Sequence, residues 1–240
     1  MARLADIRQF YGLMDRLFRL QSGPRRLANL GPSMPRRGVY FFFDETEPRT
    51  DSGDGPRLVR IGTHALTAGA TSTLRQRLAQ HRGKLSGGGN HRGSIFRLLV
   101  GQALMASGGG LSCASWGIKG DLAKAALALG AALPDLAALE APVEAAVSKY
   151  LSQLSFAFLA VDDKPGPNSL RGFIERHSIA LLSNFGRPAL DPSTVNWLGR
   201  SSDRPLVATS GLWNQRHVSE AHDPAFLSTL SDLIDQQSLK

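Results

Sequence analysis

The chain has 240 residues, 42% of them hydrophobic and 20% charged, with a formal net charge of +8. That composition excludes a disordered chain and is enough for a sizeable buried core, while the single cysteine, Cys113, excludes an internal disulfide or a cysteine-based structural zinc site and suits a reducing cytosol. No stretch reaches the roughly 18 apolar residues of a membrane span, so the excess positive charge points to a polyanionic partner, nucleic acid above all.

Residues 3–20 place Leu4, Ile7, Met14, Leu17 and Phe18 at helical spacing and predict an amphipathic helix. Its opening, MARLADIRQFYGLM, lacks the continuous apolar core of a secretion signal. A loop rich in Gly and Pro follows. GVYFFFD (38–44) and RLVRIGT (57–63) then read as two strands, joined by the turn-rich ETEPRTDSGDGP into an antiparallel hairpin. STLRQRLAQHR (72–82) predicts a helix with Ser72 as its cap. A Gly-rich joint leads to helical stretches at about 94–106, 121–130 and 135–152. FAFLAVDD (156–163) is a third strand, SLRGFIERHSIALLSNF a strongly apolar helix, and the irregular tail with Trp197 and Trp213 ends in a helix from about 224. The order predicts an α+β fold, a small three-stranded antiparallel sheet flanked by helices.

Three places put polar groups in apolar company. Side chains alternate across a strand, so Val39, Phe41 and Phe43 share one face of the hairpin with Val59 and Ile61. The other face carries Tyr40 and Phe42 with Arg60 and Gly62. A packed tyrosine and a surface arginine are the plain alternative. At about 100° per residue, Arg77 and His81 lie one turn apart along the border of the apolar stripe of the 72–82 helix, pointing towards the protein body. Arg77 snorkelling to solvent with His81 filling a gap explains that equally. Arg75 and Arg82 on the opposite border are placed to touch phosphates. Glu175 falls between Ile179 and Leu182 on a helix that is apolar almost all round. Such a carboxylate needs a partner, either an arginine or a divalent metal.

In this order the pieces resemble the GIY-YIG endonuclease superfamily. The first motif is Gly38-Val39-Tyr40, the second Arg60-Ile61-Gly62. Leu74, Arg77 and Leu78 give L-x-x-R-L, and His81 matches the histidine that some restriction-enzyme members carry four residues after the arginine. Glu175 matches the metal-binding glutamate and Asn184 best matches the later asparagine, with Asn196 competing. Arg60 stands where the second motif has tyrosine, which points to Tyr40 as general base. The resemblance implies a nuclease domain over 36–190 containing a helical insert at about 84–152, after an N-terminal helix and linker (1–35) and before a C-terminal extension (191–240) packed on the domain.

It also implies a Mg²⁺-dependent (or Mn²⁺-dependent) endonuclease acting on DNA, cytoplasmic, of restriction or phage-defence type. Many restriction enzymes pair to cut both strands, which leaves a homodimer open. Phosphodiester hydrolysis needs an activated water, neutralised phosphate charge and help for the leaving oxygen. Mg²⁺ keeps most of its waters, so a lone Glu175 is enough protein ligand. Arg77 clamps a phosphate oxygen, Tyr40 takes a proton with nearby positive charge from Arg60, His81 orients Tyr40 or relays the proton, and Asn184 holds a loop or a water. GGGNHRGSIFR in the insert offers His91, Arg92 and Arg97 to DNA, although a solvated loop beside a packing helix reads as well. SGLWNQRHV, with Asn214 and His217, is either a DNA contact or a packed edge. The competing function is a catalytically inactive module that binds nucleic acid, supported by Arg60.

Overall fold

A computed structural model describes residues 2–32 and 34–238. A long helix, α1 (Ala2–Leu20), precedes β1 (Arg25–Arg26), β2 (Gly38–Pro48) and β3 (Pro56–Gly62). Then come α2 (Leu74–Arg82), α3 (Ile95–Ala106), α4 (Leu122–Leu129), α5 (Leu133–Gln153), β4 (Ser155–Ala160), α6 (Leu170–Leu182), α7 (Pro205–Ser210) and α8 (Phe226–Ser238). The sheet is antiparallel throughout, in the order β1-β4-β2-β3. The expected hairpin and third strand are all present, and the two residues of β1 add a fourth strand against the outer edge of β4.

Both faces of the sheet are covered. Val39, Phe41, Phe43, Leu58, Ile61 and Leu159 pack against α1, α6 and α8, while Tyr40, Phe42, Val59, Phe156 and Phe158 pack against α2, α3 and α5. Val59 is on the opposite face from the one that simple alternation assigns it. A register irregularity between Phe42 and Phe43 in the β2–β3 pairing lets one strand carry an extra residue, so Leu58 rather than Val59 joins Ile61. Arg60 pairs with Phe42 and Gly62 with Tyr40, as alternation requires.

The cap of α2 is Thr73, one residue later than expected. Its hydroxyl accepts from Gln76 N and the Gln76 side chain returns a bond to Thr73 N, so two orphan amides are satisfied reciprocally. The C-terminal extension closes the free edge of β3: Trp213 N donates to the Val59 carbonyl at 2.7 Å, and both ends of the Asn214 amide bond to Ile61. Among the described residues no single helix is long and apolar enough to cross a membrane.

Candidate active site

A cavity of about 680 Å³ opens where the ends of β2 and β3 meet α2, α6 and the C-terminal extension. Tyr40, Arg60, Arg77, Glu175, Asn214 and His217 all line it. Two glycines make this convergence sterically permissible. A Cβ on Gly62 would overlap the Tyr40 hydroxyl and ring, so the cross-strand partner of Tyr40 must have no side chain. A Cβ on Gly38 would strike the Leu159 carbonyl of the neighbouring strand and crowd Leu74 of α2. Glycine there lets the helix and sheet close up on the tyrosine.

Tyr40 is wholly enclosed apart from its place in the cavity wall, and its hydroxyl lies 2.9 Å from Nε2 of His81. The other ring nitrogen of His81 is 2.8 Å from Ser94 Oγ, the cap of α3. Burial above all, then Arg77, Arg60 and Arg97, holds the His81 pKa well below its usual value, so the imidazole is neutral. His64, also on the cavity wall, is pushed down to about 4, first by burial and then by Arg171.

Arg60, Arg77 and the exposed Arg216 line the cavity, and neither Arg60 nor Arg77 has a carboxylate partner among the described residues. Arg60 donates to the Trp213 carbonyl and lies over the Phe96 ring. Arg77 donates to Gln80 Oε1 at 3.1 Å and the Gly93 carbonyl at 3.2 Å. The Nε of each guanidinium has no partner among the described residues. Two guanidiniums with unused donors at one polar cavity make an anion site.

Glu175 accepts one hydrogen bond, from Thr63 N at 3.2 Å to Oε1. Thr63 Oγ1 in turn donates to the Gly38 carbonyl, so β2, β3 and α6 are tied together at the site. Burial raises the Glu175 pKa, with Arg60, His217, the Thr63 amide and Arg77 opposing. The second carboxylate oxygen has no hydrogen-bond partner, and Glu175 forms no ion pair, among the described residues. No group of three His, Cys, Asp or Glu side chains in the described residues could cage a metal. One hard oxygen donor, desolvated and facing a water-accessible cavity, is a donor set that fits hydrated Mg²⁺ and does not fit structural zinc.

Other sequence candidates lie elsewhere. Asn184 is outside the cavity: its Oδ1 accepts from Arg3 and Leu190 N, and its Nδ2 donates to the Leu190 carbonyl. The asparagine on the cavity wall is Asn214. His91, Arg92 and Arg97 are turned into the insert. His91 stacks on Trp116 with ring centroids 3.8 Å apart and bonds Glu144, Arg92 forms a two-pronged pair with Glu140, and Arg97 has no exposed surface. Arg97 pairs with Glu144 and donates to the His81 and Arg82 carbonyls, capping α2. Burying two guanidiniums, Arg92 and Arg97, in an apolar insert requires carboxylate partners, and Glu140 and Glu144 of α5 supply them. Arg75 is exposed and Arg82 half-buried on α2. Arg171, which sequence reasoning passed over, is fully buried, pairs with Asp163 and donates to the His64 and Ala65 carbonyls, fixing the loop after β3.

A family model described as a GIY-YIG domain matches residues 1–240. The chain belongs to the GIY-YIG family. The match spans the insert and both terminal segments as well as the motif strands. No curated protein and no solved structure matches the chain. The GIY-YIG family is one of nucleases, so membership brings nuclease chemistry in general and nucleic acid as its substrate. Gly38-Val39-Tyr40 opens β2, Arg60-Ile61-Gly62 closes β3, Leu74, Arg77 and Leu78 lie in α2 and Glu175 sits mid-way along α6.

Proposed function

We propose that this GIY-YIG protein is a Mg²⁺-dependent endonuclease that hydrolyses DNA phosphodiester bonds, cytoplasmic and of restriction or phage-defence type, with 36–190 as its catalytic unit. The observation that carries the reading is the meeting of Tyr40, Arg60, Arg77 and Glu175 on one cavity, with both arginines free of carboxylates among the described residues. The restriction subclass rests on the Arg77–His81 spacing.

Arg77 and Arg60 bind the scissile phosphate and oppose the charge that builds on it in the transition state. Tyr40 takes a proton from the attacking water as its own proton passes along the hydrogen bond to His81 Nε2. Burial first, then Arg77 and Arg60, makes an imidazolium at His81 costly, and the phosphate charge that the arginines bind offsets their share of that penalty. Ser94 and the capped end of α2 hold His81 in line with the phenol. Glu175 would hold the metal, which when bound supplies Lewis-acid polarisation of a phosphate oxygen. Asn214 keeps the extension on β3 and so keeps Arg60 at the wall. Arg75 and Arg82 on α2 contact flanking phosphates.

A plasmid-nicking assay with and without Mg²⁺ tests this. Wild type cuts, while Tyr40→Phe and Glu175→Ala do not. The rival, an inactive nucleic-acid-binding module, is favoured by Arg60 in the tyrosine position. It requires that nothing cuts while gel shifts show binding that weakens steeply with salt.

A further inference from the structure

A second cavity, of about 630 Å³, adjoins the first and shares Leu66, Glu175 and His217 with it. His217 comes from the C-terminal extension, outside every motif that defines the site. Its backbone is left-handed, with φ of 65°, which a non-glycine residue adopts only where the surroundings impose it. The surroundings are specific: Ser183 Oγ donates to the Val218 carbonyl at 2.7 Å on one side, and Asn214 is clamped to Ile61 on the other.

The ring is oriented as well as the backbone. Nδ1 is 2.9 Å from Glu220 Oε1, and the other oxygen of Glu220 accepts from Arg176 Nε at 2.5 Å. Burial acts to raise the Glu220 pKa, but the His217 and Arg176 hydrogen bonds outweigh it and keep the carboxylate ionised. Arg187 donates to the Glu220 carbonyl at 2.7 Å. Nδ1 is therefore a donor to a fixed anion, and Nε2, with no protein partner among the described residues, is left to the two cavities beside Glu175. A carboxylate that fixes one nitrogen of a histidine and frees the other is the arrangement of a proton-transfer group.

We propose that His217 is a catalytic residue of this site, delivering the proton from Nε2 to the leaving oxygen of the scissile phosphodiester. The assignment rests on the nuclease reading above. In-line displacement puts the attacking and leaving oxygens on opposite sides of phosphorus. Tyr40 belongs to the first cavity alone, whereas His217 stands at the junction with the second, which has room for the leaving side of the substrate. As the water oxygen bonds to phosphorus, the bond from phosphorus to the leaving oxygen breaks. Its electron pair stays on that oxygen, and the Nε2 proton joins it. His217 is left neutral and takes a proton from solvent before the next turnover, while Glu220 stays ionised throughout.

The test compares an ordinary DNA oligonucleotide with one whose scissile leaving oxygen is replaced by sulfur, since a thiolate leaves without a proton. His217→Asn is the main variant, because asparagine tolerates the left-handed backbone, and His217→Ala is the second. Thermal melting confirms that each is folded, and fluorescence anisotropy without added metal checks that DNA affinity is unchanged. Single-turnover cleavage of the oxygen substrate is expected to fall at least about 100-fold in both variants, while the sulfur substrate is cut at close to the wild-type rate. Equal impairment on both substrates, or none on either, overturns the assignment while leaving the nuclease reading intact. A wild type that cleaves neither substrate overturns both.

Discussion

Tyr40 and His81 form a closed pair: the phenol oxygen is 2.9 Å from Nε2, the rings meet edge-on with centroids 5.3 Å apart, and neither residue is exposed. Removing the hydroxyl takes away the proton acceptor proposed for the attacking water and leaves a buried ring nitrogen unpaired. Tyr40→Phe is therefore expected to slow single-turnover cleavage by about 100-fold or more while leaving DNA affinity unchanged. It is also expected to cost about 1–3 kcal/mol of stability, because the orphaned nitrogen is desolvated. Denaturant titration and anisotropy on the same preparation read both. A Tyr40→Phe protein that cuts at wild-type rate removes the phenol from the mechanism.

Gly62 makes a sharper steric prediction. A Cβ there occupies the space of the Tyr40 hydroxyl, and both residues are locked in register by the sheet. Gly62→Ala must displace the tyrosine ring from His81, with an overpacking cost of about 1–3 kcal/mol. Activity is expected to fall as far as in Tyr40→Phe, although no catalytic atom has been removed. A crystal structure of Gly62→Ala with Tyr40 undisturbed and activity intact would contradict this.

Features of this fold are legible in the sequence to the extent that their signals are local. The hairpin faces, the stripe of α2 and the isolation of Glu175 in an apolar helix are written in periods of two and 3.6 residues, so they were legible. The shift at Val59 was not, because Leu58 and Val59 are both apolar and either fits either face. Thr73 over Ser72 was legible in principle: T-x-x-Q is a capping-box signature. Arg97 could not be recognised as structural, since its partner Glu144 is 47 residues away on a helix whose facing is set by tertiary packing. Asn214 and His217 lie in a tail with no motif to place them, because only the closure of the extension over β3 brings them to the cavity.

The insert's buried ion pairs separate structural cations from DNA contacts. Glu144→Gln leaves Arg97 charged, buried and without its carboxylate, which is expected to destabilise the protein by about 3–5 kcal/mol. Since Arg97 also caps α2 beneath His81, partial unfolding should start there, and hydrogen exchange at the α2 C-terminus reports it. Arg75→Ala should leave stability alone and lower the slope of log affinity against log salt by about 1. If the two variants exchange phenotypes, the division between buried and DNA-facing cations is wrong.

Two buried neutral histidines lead the pH dependence of stability, and the half-buried His177, also lowered by burial first, adds to it in the same direction. In the unfolded chain both ionise near pH 6.5. In the folded protein burial holds His64 down to about 4 and His81 well below its usual value. Below about pH 6.5 the unfolded state therefore binds more protons than the folded one, and stability falls as pH falls. Each histidine contributes a slope of up to about 1.4 kcal/mol per pH unit, that of His64 ending near its folded value. Glu144, Asp163 and Asp191, all held below the usual carboxylate range, lose stability in the same direction, but only once pH drops below their unfolded values. Glu175 works the other way: burial raises its pKa, so its penalty is relieved on acidification and offsets part of the loss. Denaturant midpoints at pH 7.5, 6.0 and 5.0 should fall steeply below pH 6.5. His64→Gln and His81→Gln should each flatten the slope, and a flat wild-type profile over that range would rule out buried neutral imidazoles.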